Sequence, residues 1–412
     1  MNEDHDKRIG KPGLNRALTL PYVVLYGLGV TVGAGIYVLV GQVIASSGDH
    51  APVSFLIASL VMILPAACFA ELTGRMPFAA AEAHFVRAGF NSSPLFLIVG
   101  LGVAAVGIVS SSAIAHGATG YIVELFDAPY MLVLAIVIAM TGIVACLGIR
   151  ESILFAGILT LIEVGGLLFL VVSAVQSGAD LGQQAIKSVP TSFSPSLWSG
   201  IFASGLLAFF AFIGFEDIDS IAEETVNPQK TLPKAIFLTL GLTFVLYTLV
   251  VLASLATVSI SELSDSRAPL ALVFGRTTGL SPVVITLIAI LATVNGIIVQ
   301  IIMAGRVIYG LANEGALPAF LARVDARTRT PVMATIISTL IVMTLALGFT
   351  ITALAEWTSM ITLVIFVLVC AALARIKRRN DPAPEGTFIV PRWVPYGGVC
   401  ATVMLLALGL MS

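Results

Sequence analysis

Two interruptions of apolar sequence carry the polar chemistry of this chain. The first is "GVTVGAGIYVLVG" (29–41), where Gly27, Gly29, Gly33, Gly35 and Gly41 punctuate a hydrophobic run with Thr31 among them. The second is "GLLAFFAFIGFEDIDSIAEE" (205–224), where Gly214 and Phe215 are followed by Glu216, Asp217 and Asp219. In hydrocarbon every backbone N–H and C=O needs a partner, so a helix opens only where protein or a cavity supplies one. An opened helix offers N–H groups to an anion at the start of its second half. It offers carbonyls to a cation at the end of its first half. A zwitterion such as an amino acid suits both ends. Two plainer readings stand beside this one: the glycines serve close helix packing, or the second run ends near Phe215 and its acids lie in a loop. Acids inside a span are costly and usually face a functional interior, which favours the opened helix.

The elements that would position these groups are membrane spans. The chain is 58% hydrophobic and 11% charged, with mean hydropathy +1.04, whereas soluble domains carry about 25% charge. Crossing a bilayer takes roughly 20 apolar residues per helix. Such runs occur near 20–46, 53–74, 94–120, 130–149, 152–177, 197–222, 233–257, 281–311, 331–350, 352–374 and 394–411. They predict an all-α integral membrane protein of about eleven transmembrane helices and no separate soluble domain. With the N-terminus in the cytoplasm and loops alternating, only Lys187, Arg267 and Arg276 of the 21 basic residues fall outside. That is the positive-inside pattern, and it puts the C-terminus outside. The N-terminal run is too long for the hydrophobic core of a cleaved signal. An amphipathic stretch, 74–90, is too polar to span and is expected on the cytoplasmic side, with Ala83 accessible to a thiol reagent.

Enzyme chemistry finds no support. Cys68, Cys146, Cys370 and Cys400 are scattered through apolar runs, and His5, His50, His84 and His116 are far apart. Neither set has metal-ligand spacing, and no HExxH, GxSxG or P-loop occurs. No cofactor, metal or nucleic-acid partner is expected. The interrupted runs are the first and the sixth, five helices apart, so the two halves they open are inverted relative to each other. Paired interruptions of that kind point to a transporter binding site.

Four blocks resemble the amino acid–polyamine–organocation permeases, notably bacterial relatives of cationic amino acid transporters. They are "GVTVGAGIYVLVG" (29–41), "GIRESILFAGILTLIE" (148–163), "FIGFEDIDSIAEETVNPQKTLPKAI" (212–236) and "VNGIIVQIIMAGRVIYGLANEGALPAFLARVDARTRTP" (294–331). The resemblance implies a five-plus-five inverted-repeat fold of the leucine-transporter type, with helices 1 and 6 unwound. It divides the chain into a cytoplasmic tail (1–19), a first repeat (20–177), a second repeat (197–374) and a basic loop with an eleventh span (375–412). It implies that the amides of Gly33, Ala34 and Gly35 hold a substrate carboxylate. Carbonyls at Thr31, Phe210, Ala211 and Ile213 hold its ammonium, and Phe210 gates the site. Glu216 is a further interior acid.

Two departures follow. Many relatives place a Lys where this chain has Glu163. A carboxyl there serves as a proton site, as a metal-cation site such as one for sodium, or as a structural hydrogen-bonding group. Twelve spans are usual in the family, and eleven here put a family-type dimer in doubt. The implied function is secondary active transport of amino acids or related amines by alternating access in a bacterial-type inner membrane, with a proton or sodium ion as co-substrate. An exchanger without ion coupling, or a receptor, sensor or membrane enzyme on the same fold, are the alternatives.

Overall fold

The computed structural model describes residues 17–76, 81–148 and 153–411. It is built of helices, and no strand forms among the described residues beyond an isolated parallel bridge between Leu18 and Thr225. In chain order the helices are α1 (Leu20–Val32), α2 (Ala34–Ser47), α3 (Ala51–Arg75), α4 (Ala81–Phe90), α5 (Ser93–Leu125), α6 (Tyr130–Leu147), α7 (Ile153–Gln176) and α8 (Leu181–Ser188). They continue with α9 (Pro195–Phe210), α10 (Pro228–Thr257), α11 (Ile260–Asp265), α12 (Pro269–Thr278), α13 (Val283–Asn313), α14 (Val332–Gly348), α15 (Ile351–Arg379) and α16 (Val394–Met411). Eight helical runs among the described residues are long and apolar enough to cross a membrane, and three apolar helices are shorter. One run, 35–75, contains both α2 and α3, and Gly48 at φ +57° turns the chain between them. Taking α1 and α2 as halves of one span gives eleven spans.

The exposed faces suit lipid. Leu132, Ile136, Met140 and Ile143 on α6 are each more than half exposed, and their spacing forms one stripe along the helix. Such an apolar surface is stable against hydrocarbon and a liability in water. The interior buries Tyr37, Tyr121, Tyr247, Phe209, Phe212 and Phe215 almost completely.

Both interruptions are real breaks. α1 ends and α2 begins at Gly33, whose φ of −51° and ψ of −100° leave the helical region. α9 stops at Phe210, and a turn over 211–214 leads to a 3₁₀ helix, Phe215–Glu224. Gly214 sits there at φ +119°, a conformation open in practice to glycine alone. A 3₁₀ run of ten residues is long for the type, and such stretches often mark a hinge or a sequence under strain. Its three-residue period stacks Phe215, Ile218 and Ile221 on one buried face. The acids beside them are buried too: Glu216 is 7%, Asp217 8% and Asp219 3% exposed. They are not loop residues.

One expectation fails. Ala83 is buried, because α4 packs against both α5 and α15. Arg87 is the one exposed residue among those of α4 whose burial is described, so a reagent aimed at Ala83 would find it covered. On the same side, Glu71 is fully buried between Arg75 and Lys377, at 2.9 Å and 2.8 Å. It also accepts a hydrogen bond from Val390 N–H at 2.8 Å, which ties α3 to α15 and to the segment before α16.

Candidate functional site

The two breaks face one another. A Cβ on Gly35 would lie 2.5 Å from Ala211 Cα, and a Cβ on Gly214 would lie 3.1 Å from the Val30 carbonyl oxygen. Glycine at these positions lets the two opened backbones touch. Beside them is a cavity of about 140 Å³, close to the ~150 Å³ of an apolar cavity that admits benzene. It is large enough for a small amino acid.

The residues expected to bind substrate divide as follows. Thr31, Gly33, Gly35, Phe210 and Ile213 line the cavity. Ala211 does not; it is buried behind the wall, against Gly35. The side chain of Ala34 lies outside the described residues, although its backbone begins α2. No side chain caps the start of α2. Its first N–H groups have no partner within the helix, and Gly35 brings them to the cavity. An uncapped helix start of this kind can attract an anion, and it lies beside a cavity lined by Phe210.

The carbonyls are held by a tyrosine that sequence reasoning missed. The Tyr247 hydroxyl on α10 donates to Thr31 O at 2.7 Å and to Ala211 O at 3.0 Å. One proton is shared between the ends of the two first-half helices. Each carbonyl keeps a second lone pair. Two further tyrosines continue the bracing: Tyr37 donates to Glu163 O at 2.9 Å and Tyr121 donates to Tyr37 O at 2.8 Å. A signal existed in the sequence, because a tyrosine hydroxyl inside an apolar span must find a partner when buried. The partner itself could not be read. Ser110, Thr160, Asn295 and Gln300 also line the cavity, and each is a polar side chain inside an apolar run.

Glu163 is 2% exposed. Its Oε2 lies 4.0 Å from where a Cβ on Gly33 would be, and that oxygen has no hydrogen-bond partner. Thr31 Oγ1 is likewise buried and unpartnered. Glu216 accepts a hydrogen bond from Gly214 N–H at 2.9 Å, so this acid supports the second break directly. Among the described residues no group of three or more His, Cys, Asp or Glu side chains is arranged to hold a metal ion.

A second, smaller cavity adjoins the first. Ile213 and Gln300 belong to the walls of both, and Glu82, Glu216 and Asp217 join them around the second. Burial pushes the Glu82 carboxyl on α4 above the usual carboxylate range.

The amino acid permease family model matches residues 18–412. Cationic amino acid transporter 2, vacuolar, from Arabidopsis thaliana is 32% identical over 385 residues, covering 88% of this chain and 60% of that protein. The branched-chain amino acid permease BcaP of Bacillus subtilis (strain 168) is 28% identical over 401 residues, covering 91% and 84%. The methylthioribose transporter of the same organism is 25% identical over 420 residues, covering 95% and 88%. The chain spans about three fifths of the length of the plant relative.

Proposed function

Since the chain belongs to the amino acid permease family, we propose that it is a secondary active transporter of amino acids or related amines, working by alternating access, and not an enzyme. One observation carries this reading: two broken spans meet at a single cavity that offers uncapped N–H groups on one side and helix-end carbonyls on the other. The substrate carboxylate sits on the amides of 33–35, its ammonium takes the free lone pairs at Thr31, Phe210 and Ile213, and Phe210 closes over it. Ala211 braces the site through Gly35 and Tyr247 and does not touch the substrate. The names of two relatives span cationic and branched-chain amino acids, which have only the α-ammonium and α-carboxylate in common, and this favours a main-chain site for that part of the substrate.

Glu163 is the coupling residue in this reading. Its unpartnered Oε2 faces the break at Gly33, where a proton taken up or released would alter the charge beside the bound substrate. In this reading the N-terminus lies in the cytoplasm, which the uneven spread of basic residues supports, and the membrane is a bacterial-type inner membrane.

The test is uptake of a labelled amino-acid panel into proteoliposomes under imposed proton or sodium gradients, wild type beside Glu163→Gln. Wild type should accumulate substrate under a proton gradient, while Glu163→Gln binds substrate and loses the gradient response. A response to sodium alone would make Glu163 a metal-cation ligand. Equal gradient responses in both proteins would leave it structural, and no uptake of any amino acid would end the transport reading.

A further inference from the structure

The cavity beside the substrate site is acidic, and no basic side chain is among its described lining residues. Glu82, Glu216 and Asp217 line it and are 8%, 7% and 8% exposed. None of the three takes part in an ion pair among the described residues. Arg306 lines the neighbouring cavity with Glu82, His84 and Glu314. That arginine is exposed, and Glu314 is already paired with Arg87 at 2.8 Å. Three carboxyls in one dry pocket cannot all be charged unless a cation joins them.

Gln300 is a second, independent sign of a missing ligand. It is 8% exposed, its Oε1 is buried without a hydrogen-bond partner, and it lines both cavities. Such orphaned groups are rare in folded proteins. Thr362 adds another acceptor to the wall, since its hydroxyl proton is spent on Thr358 O at 2.9 Å. The pocket therefore supplies acceptors and wants donors. Its free volume is about 20 Å³, room for one water-sized group.

We propose that this pocket is a subsite for the side-chain ammonium of a diamino acid whose α-carboxylate and α-amine occupy the main cavity. This deepens the transport reading and rests on it. A primary ammonium is compact and has three donors, on a flexible four-carbon stem in lysine. It matches three carboxyls and a water-sized space. The stem would pass between Ile213 and Gln300, the residues common to both cavities. A planar guanidinium, with five donors in a rigid fork, is too large for that space, so the subsite selects lysine over arginine.

The test is equilibrium binding of lysine, norleucine, Nε-acetyl-lysine and arginine to the purified full chain. Wild type should bind lysine about tenfold or more tighter than the other three, as charge-assisted hydrogen bonds allow. Glu82→Gln and Asp217→Asn should each shrink the lysine-to-norleucine ratio to within about threefold. The ratio cancels any loss of folded protein. Norleucine and acetyl-lysine binding as tightly as lysine to wild type would overturn the inference, as would a lysine preference that survives in both variants. If norleucine binds but lysine has no advantage, the subsite alone fails. If none of the four binds, the amino-acid reading fails, and the subsite with it.

Discussion

Tyr247→Phe removes one oxygen and little else. The Tyr247 ring packs edge-on against Phe55 at 5.9 Å and tilted on Phe212 at 5.4 Å between centroids, and Phe keeps both contacts. The hydroxyl is the donor to Thr31 O and Ala211 O. Ala211 is 1% exposed and Tyr247 fully buried, and neither lines the cavity, so water does not replace the hydroxyl at the Ala211 carbonyl. Stranding a buried acceptor costs about 1–3 kcal/mol. These carbonyls end the two first-half helices, so the cost falls on the arrangement proposed to bind substrate. A drop in the competent fraction weakens apparent affinity in proportion, and 1–3 kcal/mol corresponds to roughly 5–150-fold. Labelled-substrate binding to detergent-purified protein, with thermal unfolding in parallel, measures it. Wild-type affinity together with an unchanged unfolding midpoint would refute the claim that Tyr247 holds the breaks together.

Gly35→Ala should cost binding and folded yield, because its methyl meets Ala211 backbone at 2.5 Å, whereas Gly33→Ala should fold normally, its nearest neighbour being 3.4 Å away; size-exclusion profiles and substrate binding compare them. Glu71→Ala should destabilise the protein by about 3–5 kcal/mol, leaving buried Arg75 and Lys377 unpaired, read as a lower unfolding midpoint. Phe210→Ala should speed substrate dissociation, read by washout of bound label, because Phe210 lines the cavity where the gate is proposed.

Both breaks were legible because glycine and acids in an apolar run conflict with a plain span. Gly214 at φ +119° is the kind of position such a conflict marks. The bracing was not legible. Tyr37, Tyr121 and Tyr247 make their bonds to carbonyls 36 to 216 residues away, and no local pattern encodes a main-chain acceptor. Ala83 misled for a related reason. Its segment alternates as a one-sided interfacial helix does, but α5 and α15 cover it from two directions, which depends on how distant helices close.

The bond from Tyr247 to Thr31 O joins residues 216 apart in sequence. A ribosome adding about 5–20 residues per second reaches Tyr247 roughly 10–40 s after Thr31. For that interval the Thr31 carbonyl lacks the hydroxyl that holds it in the finished fold, and hydrocarbon offers no substitute. The bracing of the first break is therefore completed only once the seventh span, which carries Tyr247, has been made.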